Sequence, residues 1–122
     1  MEAKVPEAVA RALRELKEQL SHLYGERLQG VYLYGSYSRG DFAEGSDVDV
    51  AVILRGPVEV SREIDRMGQV ASRLSLHYGV TISILPLSET WWRKRESPLL
   101  RNLRREAVPV FPLAGEASRC TG

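Results

Sequence analysis

The run Val48-Asp49-Val50-Ala51-Val52-Ile53-Leu54 constrains the fold of this chain more than any other segment. From Val50 onward it is continuously apolar and rich in β-branched residues, which marks a strand. A strand that is apolar on both sides needs cover on both sides, so this one belongs at the centre of a sheet. Gly56-Pro57 breaks the chain after it. Residues 59–78 then read as a long helix, with Val60, Ile64, Met67, Ala71, Leu74 and Tyr78 on one face and Gly79 as its cap. Glu63 and Asp65, early in that helix, are expected to face solvent. Val80 to Leu85 reads as a further strand, with Val80, Ile82 and Ile84 alternating against Thr81, Ser83 and Leu85, and Pro86 and Ser88 are expected to end it.

Upstream, Val9, Leu13, Leu16, Leu20 and Leu23 recur at steps of four and three, one face of a helix over residues 7–24. Glu7 suits the positive end of that helix and Gly25 stops it. Val31 to Tyr34 reads as a strand ending at Gly35, so Tyr32 and Tyr34 are strand residues. A short helical turn over Tyr37 to Arg39 and a loop over Gly40 to Ser46 follow. Downstream, a short helix is expected over Glu89 to Arg95. Ser97-Pro98 reads as an N-cap with proline at the first helical position, opening a helix to Glu106. Val108 to Phe111 is expected as a strand that Pro109 and Pro112 confine to a sheet edge. The fold class is α/β (α+β): a small mixed sheet with helices packed on it. One domain over residues 1–115 and a short tail over 116–122 are expected, with Cys120 an incidental thiol in that tail.

The composition, 43% apolar and 27% charged, suits a globular chain. No apolar run is long enough to predict a membrane span, and the charged start has no signal-peptide core, so a cytoplasmic protein is expected. The net charge of +1 gives no overall field for nucleic acid. His22 and His77 both fall late in helices, where the dipole favours them, and no Cys/His cluster suggests zinc.

Gly35-Ser36 sits between a strand and a helical turn, where unpaired backbone N–H groups bind phosphate. Glycine lets a phosphate approach the backbone, and the serine hydroxyl adds a donor. Asp47 and Asp49 lie two apart at a strand start and so project to one face. Two carboxylates side by side repel and need a cation, and hard oxygen ligands together with substrate phosphates suit Mg²⁺. Either motif alone is common in ordinary turns and strand starts. Their spacing of about a dozen residues, with strand patterning on both sides, argues for one site.

Gly35-Ser36-Tyr37-Ser38-Arg39-Gly40 with Ser46-Asp47-Val48-Asp49 resembles the signature of the minimal nucleotidyltransferases of the DNA polymerase β superfamily, the small proteins often encoded beside a helical HEPN-type partner as a toxin–antitoxin pair. The close match spans residues 28–54. The resemblance implies a polymerase-β-like fold in which Gly35 and Ser36 hold the triphosphate of ATP or another NTP and Asp47 and Asp49 act as catalytic ligands of Mg²⁺ or Mn²⁺. Arg39 matches the arginine common after Gly-Ser. A phosphate contact and a structural pair with Asp41 or Glu44 are both open to it.

The resemblance also implies a third carboxylate on the next core strand. Residues 79–86 contain no Asp or Glu, and Thr81 and Ser83 stand at the corresponding positions. A hydroxyl is a poor ligand and a poor base beside a carboxylate. Two functions therefore compete. One is a nucleotidyltransferase passing a nucleoside monophosphate to a hydroxyl on a protein partner of HEPN type, as an antitoxin; a chain this short leaves little room for a domain shaping another acceptor site. The other is a nucleotide- and partner-binding module with impaired catalysis. Trp91-Trp92-Arg93-Lys94-Arg95 with Arg101, Arg104 and Arg105 forms a basic segment. It reads as a solvated face, a protein-docking surface or, least favoured, a nucleic-acid contact. Leu99, Leu100 and Leu103 can face the core.

Overall fold

The structure is a computed structural model that describes residues 5–94 and 97–110. Helix α1 spans Glu7–Tyr24, and a 3₁₀ turn over Gly25–Arg27 leads to strand β1, Leu28–Tyr34. Helix α2 is the single turn Ser36–Arg39, β2 is Asp47–Leu54, α3 is Val60–Tyr78 and β3 is Thr81–Ser88. Helix α4 covers Glu89–Lys94, α5 covers Pro98–Glu106, and β4 is the two-residue strand Val108–Pro109. Arg95, Phe111, Pro112, Cys120 and the expected tail lie outside the described residues.

The sheet order is β3-β2-β1-β4. β1 runs antiparallel to β2 and β4, and β2 runs parallel to β3. The parallel pair needs a crossover, and α3 supplies it. β2 is central, and every residue from Val50 to Leu54 is buried, as its apolar run requires.

One face of the sheet carries Val31, Leu33, Val48, Val50, Val52 and Leu54 against Leu13, Leu16 and Leu20 of α1 and Met67, Ala71 and Leu74 of α3. On the other face Ala51 and Ile53 are also buried. There the ring of Trp92 from α4 lies 5.1 Å from that of Tyr32, and Leu100 and Leu103 of α5 are buried. Ser97 caps α5 by accepting from Leu100 N at 3.1 Å, with Pro98 in the first turn as expected.

Four expectations need correction. β3 does not end at Pro86 but continues to Ser88. β3 is an edge strand, where a missing N–H is tolerated. The buried face of α3 is rotated: Val60 and Ile64 are exposed, while Met67, Val70, Ala71 and Leu74 are buried. On α1, Ala12 and Tyr24 are buried and Leu23 is 41% exposed. Glu63 is not solvent-facing, being 4% exposed. The hydroxyl of Tyr24 donates to its Oε1 at 2.5 Å, and Arg27 Nη1 lies 3.9 Å from its Oε2. Arg27 also donates to the carbonyls of Arg55 and Pro57, tying the β2–α3 connection to the start of β1.

The basic segment is also less uniform than its sequence. Arg104 turns back to donate from Nη1 to the carbonyls of Trp92 and Arg93, each at 3.0 Å. It closes the end of α4 and does not join Arg101 and Arg105 on one open face. Among the described residues, no helix is long and apolar enough to cross a membrane.

Candidate nucleotide site

β1 ends at Tyr34, whose register partner across the antiparallel pair is Asp49. The next residue, Gly35, turns the chain sharply with φ +78° and ψ −155°. Few residues other than glycine hold that conformation. A Cβ added at Gly35 would stand 2.3 Å from Asp49 Oδ2, so glycine is also required by close approach. The loop and the carboxylate are in direct contact because of it. The carbonyl of Gly35 then accepts from Ser38 N and Arg39 N, each at 3.1 Å, which closes the turn of α2. Tyr37 is buried and stacks on Phe42 with centroids 4.4 Å apart, which fastens the loop before β2 to the core. In that loop the Ser46 hydroxyl accepts from Ala43 N at 2.8 Å.

A cleft of about 380 Å³ opens here. Gly35, Ser36, Arg39 and Asp49 line it together with Tyr34 and three residues of α5, Asn102, Leu103 and Glu106. Asp47 is exposed at the first position of β2, on the same face as Asp49. Asp47 and Asp49 thus stand together beside the Gly35 turn. A larger apolar groove of about 660 Å³, with Val58, Leu87 and Trp91 in its wall, lies at the opposite end of β2 and β3 and contains no charged residue. The chemistry-bearing groups are in the smaller cleft.

The electrostatics of the cleft are acidic. Partial burial, then the charge of Asp47, then that of Glu106 push the Asp49 carboxyl above its ordinary range, with Arg39 pulling against them. Burial, Asp49 and Glu106 likewise raise Tyr34. Arg39 pairs with Asp41 Oδ2 at 3.2 Å and with Glu106 Oε1 at 3.4 Å, so its structural partners are Asp41 and Glu106. Glu106 Oε1 also accepts from Gly35 N at 2.9 Å.

The parallel register sets Thr81 opposite Asp47 and Ser83 opposite Asp49. In-register neighbours share a face, so these two hydroxyl residues do stand beside the aspartates. Among the described residues, no group of three or more His, Cys, Asp or Glu side chains is arranged to hold a metal. Two adjacent hard-oxygen carboxylates and a cleft with room for phosphates fit one divalent cation whose remaining ligands come from substrate and water.

Tyr34, Asn102 and Glu106 are cleft residues that the sequence reading did not select. Tyr34 directly precedes Gly-Ser, and its position alone could have suggested it. Nothing local marks Glu106, which lies 71 positions along the chain from Gly35 and reaches it through the fold of α5.

Residues 13–103 match the family model described as a nucleotidyltransferase domain. The chain is 36% identical over 78 residues to a candidate protein adenylyltransferase of Methanocaldococcus jannaschii (MJ0141), a span covering 64% of this chain and 78% of that protein. Its fold is similar to that of a candidate nucleotidyltransferase from Sulfolobus solfataricus, with a TM-score of 0.62 at 17% identity over 89% of this chain and 90% of that one. A similar fold occurs in the complex of a tri-AMPylated HEPN toxin with an MNT antitoxin from Shewanella oneidensis, with a TM-score of 0.53 at 18% identity over 89% of this chain and 77% of that one. With its Gly-Ser turn and Asp49 lining one cleft and Asp47 on the same face of β2, the chain belongs to the nucleotidyltransferase domain family.

Proposed function

We propose that this chain transfers the AMP moiety of ATP to a hydroxyl group of a protein partner, with pyrophosphate as leaving group. The observation that carries this reading is the contact between the Gly35 turn and Asp49. It brings the Gly-Ser turn against one of the two neighbouring carboxylates, an arrangement that supports phosphoryl chemistry on a nucleotide. Gly35, Ser36 and Arg39 hold the triphosphate through N–H, hydroxyl and guanidinium donors. Asp47 and Asp49 would hold Mg²⁺, with Mn²⁺ able to replace it, and the ion when bound supplies charge neutralisation on the phosphates. The acceptor oxygen bonds to the α-phosphorus, the bond to the β-phosphate bridging oxygen breaks, and pyrophosphate leaves with that electron pair. The hydroxyl proton passes to solvent, because Ser83 beside Asp49 is no base.

The jannaschii relative supports a protein as acceptor and an adenylyl group as the moiety transferred. The Shewanella complex supports a HEPN-type toxin as partner and an antitoxin role.

A second reading is favoured by Ser83 standing where a third carboxylate would serve: a nucleotide- and partner-binding module with impaired transfer. The deciding experiment is label transfer from α-phosphate-labelled ATP with Mg²⁺ or Mn²⁺ in lysate of the source cells, comparing the natural chain with Asp49→Ala. A labelled protein band that vanishes in the variant is expected. Metal-dependent ATP binding by the purified chain with no labelled band would select the binding module.

A further inference from the structure

Glu106 has no role in the reading above, yet it occupies the cleft's donors. Its Oε1 accepts from Gly35 N at 2.9 Å and lies 3.4 Å from Arg39 Nη1. These are two of the groups assigned to the triphosphate. An N–H group aimed at a carboxylate oxygen is not free for a phosphate oxygen. A fixed carboxylate here would also repel the incoming anion. Among the described residues, Glu106 forms no three-acid group with Asp47 and Asp49 that could hold a metal. It is the last residue of α5, and its side chain is 29% exposed, so it can swing out without uncovering the core.

We propose that Glu106 is a built-in occupant of the phosphate site: its carboxylate holds Gly35 N–H and Arg39 in the free chain, and nucleotide binds as Glu106 leaves. The proposal rests on the nucleotide reading of this cleft. Two consequences follow from linkage. Nucleotide affinity is lowered by the fraction of molecules in which Glu106 sits on the donors. In return, bound nucleotide loosens the end of α5 and the short β4 that follows it. Those residues are held by Ala107 N donating to Leu103 O at 2.8 Å and Val110 N donating to Val31 O at 2.9 Å. Occupancy of the cleft would thus be reported at the C-terminal end of the sheet's edge.

The alternative is a buttress: Glu106 stays in place and keeps the Gly35 turn in shape for its ligand. The two roles predict opposite signs. The test titrates ATP with Mg²⁺, and separately inorganic tripolyphosphate, into the natural chain, Glu106→Gln and Glu106→Asp by calorimetry. The occupant role predicts about tenfold tighter binding of both ligands by Glu106→Gln, and a smaller gain for Glu106→Asp, whose carboxylate is drawn back by one methylene. Equal or weaker binding by both variants overturns it. A measurement on the unaltered chain guards against variants that fold poorly. ATP should speed hydrogen exchange at the Ala107 and Val110 amides, and slower or unchanged exchange there overturns the proposal. If the natural chain itself binds neither ligand at millimolar concentration, the nucleotide reading of the cleft fails, and the proposal fails with it.

Discussion

Two carboxylates at opposite ends of the sheet, Glu63 and Asp49, are treated in opposite ways by the fold. Glu63 is buried, takes a proton donor from Tyr24 and has Arg27 nearby, so its charge is answered. Asp49 is half-buried, stands next to Asp47, and has a second acid, Glu106, across the cleft. The first arrangement closes a structural joint between α1, α3 and the β2–α3 connection. The second concentrates like charge at an opening. A buried carboxylate supplied with donors contributes to holding the fold; a carboxylate like Asp49, raised in pKa by burial and by the acids crowded around it at a cleft, marks a site that a cation or substrate completes.

The comparison breaks most visibly at Asp49. Under the proposed function, Asp49→Ala should reduce AMP transfer by about a hundredfold or more, since that reading has Asp49 act on the transferring phosphates. Its stability should change by less than about 0.5 kcal/mol, because a like-charge contact is lost together with the carboxylate. Parallel label-transfer and urea-denaturation assays measure both, and a large loss of stability would make Asp49 a structural acid like Glu63. Gly35→Ala comes next. The backbone conformation and the 2.3 Å approach to Asp49 both oppose a methyl group, so about 2 kcal/mol or more of stability should be lost together with nucleotide binding.

Tyr24→Phe sharpens the other half. It strips Glu63 of its buried donor and should cost about 1–3 kcal/mol in urea melts, with transfer activity per folded molecule unchanged. The smallest effect is in pH. Burial and the Glu63 carboxylate hold the Tyr24 phenol far above its ordinary range. The folded state therefore keeps this proton longer than the unfolded chain does. That contribution is complete below a pH of about 10 and is lost as pH rises beyond it, toward the folded-state value. The alkaline decline in melting temperature should be shallower in Tyr24→Phe than in the natural chain.

Much of this architecture is legible in the chain. α1 runs over Glu7–Tyr24 as its periodicity requires, Ser97-Pro98 opens α5, and the apolar run from Val50 becomes a central strand buried on both faces. Local pattern suffices there because solvent exclusion acts on one element at a time. Gly35, Ser36, Arg39 and Asp49 line one cleft, and strand geometry and turn chemistry made their proximity legible in the sequence. Pro86 misleads, because its cost depends on whether a strand lies at an edge, which no local pattern reveals.

Sequence alone determined the order of elements, the glycine turn and the pair of aspartates, all consequences of contacts a few residues long. Only the tertiary structure decided that Glu63 is buried and paired, that Arg104 turns inward, and that Glu106 reaches Gly35. Each depends on how helices rotate onto the sheet and where strand registers lock. The free energy of a charge is set by the groups packing brings within a few ångströms of it, however far apart they lie along the chain.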